Sequence, residues 1–223
     1  MSFEDKYKNV VYIVIDVESN GSSVKKNSMF ALGCVAIEVT TKNVLGGFAY
    51  NVAEVPGTEM ETKCWDEFWS KEKLMYDELH KDQMDEKEVS TQIVQFVQKI
   101  KDMGKNILFA SDCSVYDWKW VDACILNHNS TNPLGYTAMD IYSYAAGMFK
   151  EPRHSVWKTI KNLKGTTLQF DDVNHDHNPY NDALSEACLL VDLIRLNESQ
   201  PIMRLGKVLD RKPHNEFIIN KFD

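Results

Sequence analysis

A run of apolar and β-branched residues near the N-terminus constrains the fold of this chain more than any other segment. Residues 9–17 read Asn-Val-Val-Tyr-Ile-Val-Ile-Asp-Val, and the run is almost continuous rather than alternating. A strand that is apolar on both faces is expected to be covered on both faces. The segment therefore predicts a central strand in a sheet that is flanked by helices.

The remaining pattern predicts an α/β fold with a mixed sheet. Three further strands are predicted over 29–40, 44–53 and 106–111, with a hairpin turn at 40–43. Helices are predicted over 62–79, 86–103, 115–127, 137–149, 155–164 and 179–197. The last helix has the clearest start, because asparagine at 178 is a favoured N-cap and proline at 179 suits the first helical position. The sequence therefore predicts one domain over 1–197, with a tail over 198–223 that packs on it or extends from it.

Composition excludes several classes of protein. With a net charge of −8 the chain does not resemble a protein that coats duplex nucleic acid, so an anionic partner has to be held locally or through metal ions. The chain contains no apolar stretch of about 20 residues and no apolar segment typical of a signal peptide, so no membrane contact is expected. Five scattered cysteines without a Cys-x-x-Cys pair favour reduced thiols. We expect an intracellular protein in the cytoplasm, with the nucleus as the alternative.

Two acidic residues end the first strand. Asp16 and Glu18 are two positions apart, so on a strand both carboxylates point to one face. Two adjacent carboxylates repel each other unless a cation lies between them. The alternative is that Glu18 already belongs to a loop and that Asp16 caps a turn.

Three more polar residues occur in segments that look structured. Asp117 lies beside a face that Trp118 and Val121 mark as buried. Asp182 falls in the first turns of the last helix, where the helix dipole alone is a sufficient reason for an anion. His177 precedes that helix and by itself reads as a surface histidine.

These five residues together indicate a metal site. Gathering four carboxylates costs free energy unless a cation neutralises them. Hard divalent cations prefer carboxylate oxygens, and paired ions are common in phosphodiester cleavage.

The order and spacing of the motifs resemble those of the DEDDh 3′–5′ exonucleases, a family with the RNase H-like fold. The three segments are Ile15-Asp-Val-Glu-Ser19, Val115-Tyr-Asp-Trp-Lys-Trp120 and His177-Asn-Pro-Tyr-Asn-Asp-Ala183. The resemblance covers residues 9–197. The family includes RNase T, oligoribonuclease and proofreading exonucleases. Ser19 stands where the family often has threonine, and Pro179 where it often has alanine. His175 is a competing imidazole, but its spacing to Asp182 is seven residues rather than five.

The resemblance implies two bound ions, Mg²⁺ or Mn²⁺, and a role for each of the five residues. Asp16, Glu18 and Asp182 would hold one ion, and Asp16 would share the second. Asp117 would help to position the second ion through water. His177 would act as general base, for which an ordinary imidazole pKa near 6.5 is suitable.

The candidate substrate-binding residues are Ser19 and Tyr116 within these motifs, and Trp65 and Trp69 between the first two motifs. Aromatic residues over 65–69 could stack on terminal bases, but their spacing fits a helix core face equally well. Lys25 and Lys26 could touch phosphates, although a solvated loop is the alternative. Asp140 matches an acidic position common in the family and is interpreted as structural.

The function predicted from the sequence is a metal-dependent 3′–5′ exonuclease that releases nucleoside monophosphates from single-stranded 3′ ends. RNA is slightly favoured over DNA, because the resemblance is to small stand-alone ribonucleases. A homodimer is expected only because many relatives form one. The alternatives are a catalytically inactive RNase H-like nucleic-acid-binding module and a metal-dependent hydrolase of small phosphate esters.

Overall fold

The computed structural model describes residues 1–165 and 177–199. A five-stranded sheet has the order β3-β2-β1-β4-β5. The strands are β1 Val10–Ser19, β2 Met29–Glu38, β3 Val44–Asn51, β4 Asn106–Ser111 and β5 Ala138–Asp140. β2 runs antiparallel to its neighbours β1 and β3, whereas β4 and β5 run parallel to β1. The predicted mixed sheet flanked by helices is confirmed.

Helices cover both faces of the sheet. They are α1 Phe3–Tyr7, α2 Thr62–Cys64, α3 Lys73–Leu79, α4 Glu86–Asp102, α5 Ser114–His128, α6 Ile141–Phe149, α7 Val156–Leu163 and α8 Pro179–Ser199. Tyr12 and Val14 of β1 pack with α6, α7 and α8 on one face. Val11, Ile13 and Ile15 pack with α4 and α5 on the other. The alternation along β1 explains why its sequence is apolar at almost every position.

The predicted single helix over 62–79 is wrong. A π-helical turn, Trp65–Trp69, separates α2 from α3. Within this turn Trp69 is 1% exposed, and its indole Nε1–H donates to the carbonyl oxygen of Ser19 at 3.0 Å. Single π-turns inside helices often occur at functional sites.

One other element prediction is wrong, and one helix was not predicted. Residues 138–140, predicted as the start of a helix, form β5, and α6 begins only at Ile141. Asp140 caps α6 by accepting from the Ser143 N–H at 2.7 Å, in agreement with its structural interpretation. The short helix α1, which the sequence analysis did not predict, has a capping box between Ser2 and Asp5.

A glycine lets α8 approach the central strands. Gly33 of β2 pairs with Asp16 of β1. A Cβ atom at Gly33 would lie 2.0 Å from the carbonyl oxygen of Pro179. The missing side chain therefore allows the first turn of α8 to pack directly over the acidic end of β1.

No helix within residues 1–165 and 177–199 has the length and apolar character needed to cross a membrane. His175 and residues 200–223 of the predicted tail lie outside the described residues. The described part of α8 extends two residues beyond the predicted end of the domain at 197. The domain boundaries stay a prediction.

Candidate active site

The acidic end of β1 lies inside the sheet. β1 continues through Ser19, and Glu18 pairs with Ala31 of β2. Glu18 is therefore a strand residue, and the alternative that placed it in a loop is wrong. Side chains at every second position of a strand point to the same face. Asp16 and Glu18 therefore share the face of Tyr12 and Val14, which α8 covers.

The start of α8 contributes two more groups. Asn178 acts as the predicted cap, because its Oδ1 accepts from the backbone N–H groups of Tyr180 and Asn181 at 3.1 and 3.3 Å. Asp182 is 2% exposed and faces the sheet. His177 adopts a φ of 59°, a left-handed conformation that costs free energy in a non-glycine residue.

His177 lies within the acidic group. Its Nδ1 is 3.7 Å from Glu18 Oε1. One ligand atom from each of Glu18, His177 and Asp182 lies within 4.8 Å of the others. These three groups are close enough to share a cation, so the imidazole can serve either as a ligand or as a base.

Asp117 approaches from the opposite layer. It lies in the first turn of α5, is 2% exposed, and its Oδ1 accepts from the Val17 N–H at 3.2 Å. This bond brings a residue from the α5 side to the end of β1. The structure thus brings together all five residues that the sequence analysis selected.

Burial and mutual repulsion disfavour the charged forms of these acids. Desolvation, with the charges of Glu18 and Asp117, raises the pKa of Asp16 well above its usual value. Desolvation, with the charge of Asp112, raises the pKa of Asp117 to about 8. Within the described part of the chain, Oδ2 of Asp16 and Oδ2 of Asp117 are buried without a hydrogen-bond partner. Orphaned carboxylate oxygens are the donors that a hard divalent cation takes, so the residues present fit such an ion.

Two further carboxylates adjoin the cluster and were missed by the sequence analysis. Asp112 follows β4 and lines the cleft. Glu186 lies one turn after Asp182 on α8, and its Oε2 accepts from the Asp112 N–H at 3.2 Å. Desolvation, with the charge of Asp112, raises the pKa of Glu186. The four-residue spacing from Asp182 was the available signal for Glu186.

The turn that carries Asp112 is also held from the α6–α7 side. Arg153 Nη2 donates to the carbonyl oxygen of Asp112 at 2.7 Å, and Arg153 Nε donates to Asp140 at 3.1 Å. Asp140 in turn accepts from the Ser114 N–H at 3.3 Å. These bonds fix the turn from which α5 and Asp117 start.

Four of these carboxylates line a cleft of about 370 Å³. Its lining residues are Asp16, Val17, Glu18, Ser19, Cys64, Phe68, Trp69, Asp112, Cys113, Tyr116, Asp117 and His177. Phe68 contacts His177 edge to face, with ring centroids 4.6 Å apart. Trp69 belongs to the lining but is only 1% exposed, whereas Trp65 packs against Tyr76 and does not belong to the lining. Phe68 is therefore better placed than either tryptophan to meet a ligand, and substrate contact by the tryptophans stays a prediction.

Ser19 and Tyr116 connect the two halves of the cleft. Their hydroxyl groups are hydrogen-bonded to each other, and Ser19 Oγ also donates to the carbonyl oxygen of Gly21 at 2.6 Å. Lys25 and Lys26 line a separate polar cleft of about 540 Å³ together with Glu59 and Glu61. The charges in that second cleft balance, so it does not present a positive surface.

Comparison with known proteins finds similarity in structure rather than in sequence. No family model matches the chain, and no curated protein matches it. The nuclease domain of 3′hExo, described as a DEDDh family member bound to rAMP, matches with a TM-score of 0.61 and 17% identity, covering 83% of this chain and 91% of that one. A 3′-exonuclease described in 3′-end-specific recognition of histone mRNA stem-loop matches with a TM-score of 0.56 and 16% identity, covering 85% and 82%. The E. coli ExoI–ssDNA complex matches with a TM-score of 0.57 and 11% identity, covering 84% of this chain and 40% of that one.

At these identities the matches describe the fold. The predicted resemblance to the DEDDh 3′–5′ exonucleases is confirmed at that level: the chain has their RNase H-like fold over most of its length.

Proposed function

We propose that this protein is a metal-dependent 3′–5′ exonuclease that hydrolyses single-stranded nucleic acid to nucleoside monophosphates. The observation that carries the proposal is the convergence of Asp16, Glu18, Asp117 and Asp182 with His177 at one cleft. An acidic cluster of this kind, with buried and unpartnered oxygens, is stable with charged carboxylates only when cations are present.

Each side chain has a distinct role in this proposal. Asp16, Glu18 and Asp182 would hold one divalent ion, Mg²⁺ or Mn²⁺, and Asp16 would share a second ion that Asp117 would help to position. When bound, such a pair stabilises the charge on the attacking and leaving oxygens of a phosphodiester. His177 accepts the proton of the attacking water.

The shape of the site supports a single-stranded substrate. The cleft of about 370 Å³ has room for a terminal nucleotide, and Phe68 offers a ring against which its base can stack. Stacking on an aromatic ring tolerates any base, so little sequence preference is expected. The structural neighbours are described with rAMP, with a histone mRNA stem-loop and with ssDNA, which supports a nucleic-acid substrate of either kind.

We favour RNA slightly over DNA, as the sequence resemblance to small ribonucleases implies. A homodimer remains part of the proposal on the basis of that resemblance, and an intracellular location on the basis of the scattered cysteines.

The test is hydrolysis of matched RNA and DNA single strands with Mg²⁺, with Mn²⁺ and with chelator. We expect mononucleotide release with either ion, none with chelator, and a faster rate on RNA. Strand binding without hydrolysis under every metal condition would instead identify an inactive binding module. Hydrolysis of a small phosphate ester, without activity on either strand, would identify a metal-dependent hydrolase of small phosphate esters.

A further inference from the structure

Within the described residues, positive charge is concentrated in one segment of this acidic chain. Residues 150–164 contain five lysine and arginine residues and a single acidic residue, whereas the whole chain has a net charge of −8. The basic residues are Lys150, Arg153, Lys158, Lys161 and Lys164. Because the rest of the molecule is strongly acidic, this segment is where an anionic polymer would meet the least repulsion.

Two of these charges, those of Lys158 and Lys161, lie on the solvent face of α7. Val156 and Ile160 are buried on the opposite side of this helix. Trp157, Lys158 and Lys161 are exposed and fall within about 100° of arc around the helix axis. Lys158 Nζ lies 5.7 Å from the centre of the Trp157 ring, and 48% of Trp157 is exposed.

Lys158 and Lys161 are not neutralised by neighbouring side chains within the described residues. Among residues 1–165 and 177–199, neither Lys158 nor Lys161 forms an ion pair. An exposed aromatic ring between free ammonium groups offers stacking to a base and attraction to its phosphates.

Arg153 links the basic segment to the active-site cleft. Arg153 contacts the carbonyl oxygen of Asp112, and Asp112 lines the cleft. α7 starts three residues after Arg153 and is about 12 Å long. A strand whose 3′ end occupies the cleft therefore has to extend beyond its terminal nucleotides before it reaches Lys161.

We infer that the exposed face of α7, formed by Trp157, Lys158 and Lys161, binds the 5′-ward part of the single strand whose 3′ end is held in the cleft. This inference rests on the proposed function and adds to it the site that holds the body of the substrate. It also explains how an acidic protein can bind a polyanion, because the basic residues that contact the strand lie on α7, outside the acidic cleft.

The test compares binding of a trinucleotide and a dodecamer by fluorescence anisotropy. Ca²⁺ replaces Mg²⁺ because it supports binding better than turnover. We expect the dodecamer to bind more tightly than the trinucleotide to the wild-type protein. The double variant Lys158→Gln, Lys161→Gln should lose about tenfold in dodecamer affinity at moderate salt, and the slope of log K against log salt should fall by about 1.4, since each phosphate contact on a single strand contributes about 0.7. Trinucleotide affinity should change by less than about twofold.

Two matched variants control for charge. Lys158→Arg with Lys161→Arg should retain dodecamer affinity. Lys87→Gln with Lys99→Gln removes the same charge from exposed positions of α4, on the opposite layer of the molecule, and should have little effect. An equal loss in the α4 variant, or an unchanged dodecamer affinity in the α7 variant, would overturn the inference.

Hydrolysis of the trinucleotide by the wild-type protein is measured in parallel with Mn²⁺. If hydrolysis is present but the α7 variant binds normally, only this inference fails. If hydrolysis is absent but binding depends on length and on α7, only the proposed function fails.

Discussion

The carboxylates at the end of β1 repel one another unless cations lie between them. Asp16→Asn should abolish metal-dependent hydrolysis while leaving the fold intact. Removal of a residue that only hydrogen-bonds to a metal ligand typically lowers metal affinity or activity by about 10–100-fold. Removal of a ligand itself should therefore lower activity further. Without metal, the variant should melt at a higher temperature than the wild-type protein, because repulsion is relieved. Turnover assays and thermal melts in chelator measure the two effects.

The control for this substitution is Asp102→Asn, which removes the same charge from the exposed end of α4. It should change neither turnover nor the melting temperature in chelator. Normal turnover by Asp16→Asn would refute the assignment of Asp16 as a ligand.

His177 can be a base or a metal ligand, and one substitution distinguishes the two. If it is the base, His177→Asn should lower kcat by about 10²–10⁴-fold while Mn²⁺ affinity stays unchanged. Calorimetric titration of Mn²⁺ together with turnover separates these readings. A large loss of Mn²⁺ affinity would show instead that the imidazole is a ligand.

Phe68 and Trp65 offer a comparison of two aromatic residues from the same π-turn. Phe68 lines the cleft and Trp65 packs on Tyr76 outside it. Phe68→Ala should raise KM for a short strand by the equivalent of about 1–3 kcal/mol of stacking, whereas Trp65→Ala should mainly lower stability. A larger change in KM for Trp65→Ala would support the role originally predicted for that residue.

At the scale of elements, the approach of α8 to the sheet depends on Gly33. An added Cβ would meet the backbone of Pro179 at 2.0 Å, and backbone cannot move aside as a flexible side chain can. Gly33→Ala should therefore cost at least about 1–3 kcal/mol of stability and weaken Mn²⁺ binding, because Asp182 moves with the helix.

The matched change for this test is Gly46→Ala, where the new Cβ would meet only the Phe96 side chain at 3.3 Å. Chemical denaturation and Mn²⁺ titration of both variants make the comparison. Equal effects of the two changes would show that close packing of α8 is not what positions Asp182.

Much of this arrangement could be predicted from the sequence, because local patterns carry it. The apolar run of β1, the two-residue spacing of Asp16 and Glu18, and the Asn178–Pro179 start of α8 are all short-range signals. The π-turn at 65–69 and strand β5 were not predicted, because each depends on tertiary contacts: the bond from Trp69 to Ser19, and pairing with β4.

The site itself divides in the same way. The five principal residues follow from motif order, whereas Asp112 and the Arg153 contact to its carbonyl oxygen depend on which loops meet at the end of β4. Sequence spacing does not show which loops contact each other, so these contacts can be found only in the folded structure.

At the scale of the whole molecule, buried acids should make stability without metal depend on pH. The pKa of Asp117 rises from its ordinary value near 4 to about 8, and the pKa of Asp16 and Glu186 also rise. A raised acid pKa stabilises the folded state below the unfolded value, and this contribution is lost as pH rises through the folded value. In chelator the melting temperature should therefore fall between about pH 4 and pH 8, by about 2–4 °C for each kcal/mol lost.

Divalent metal should reverse this trend, because ligand carboxylates bind it in their deprotonated form. Asp117→Asn should flatten the pH dependence in chelator. Stability that instead rises from pH 5 to pH 8 without metal would contradict the burial of uncompensated carboxylates.

The most direct measurement is the digestion of a single strand that carries a label at its 5′ end, with Mn²⁺, by the wild-type protein and by Asp16→Asn. We expect a ladder that shortens one nucleotide at a time from the 3′ end, that stops when the 3′ end is blocked, and that is absent for the variant. Efficient cutting of a circular single strand, or an unchanged ladder from Asp16→Asn, would contradict a 3′–5′ exonuclease centred on these carboxylates.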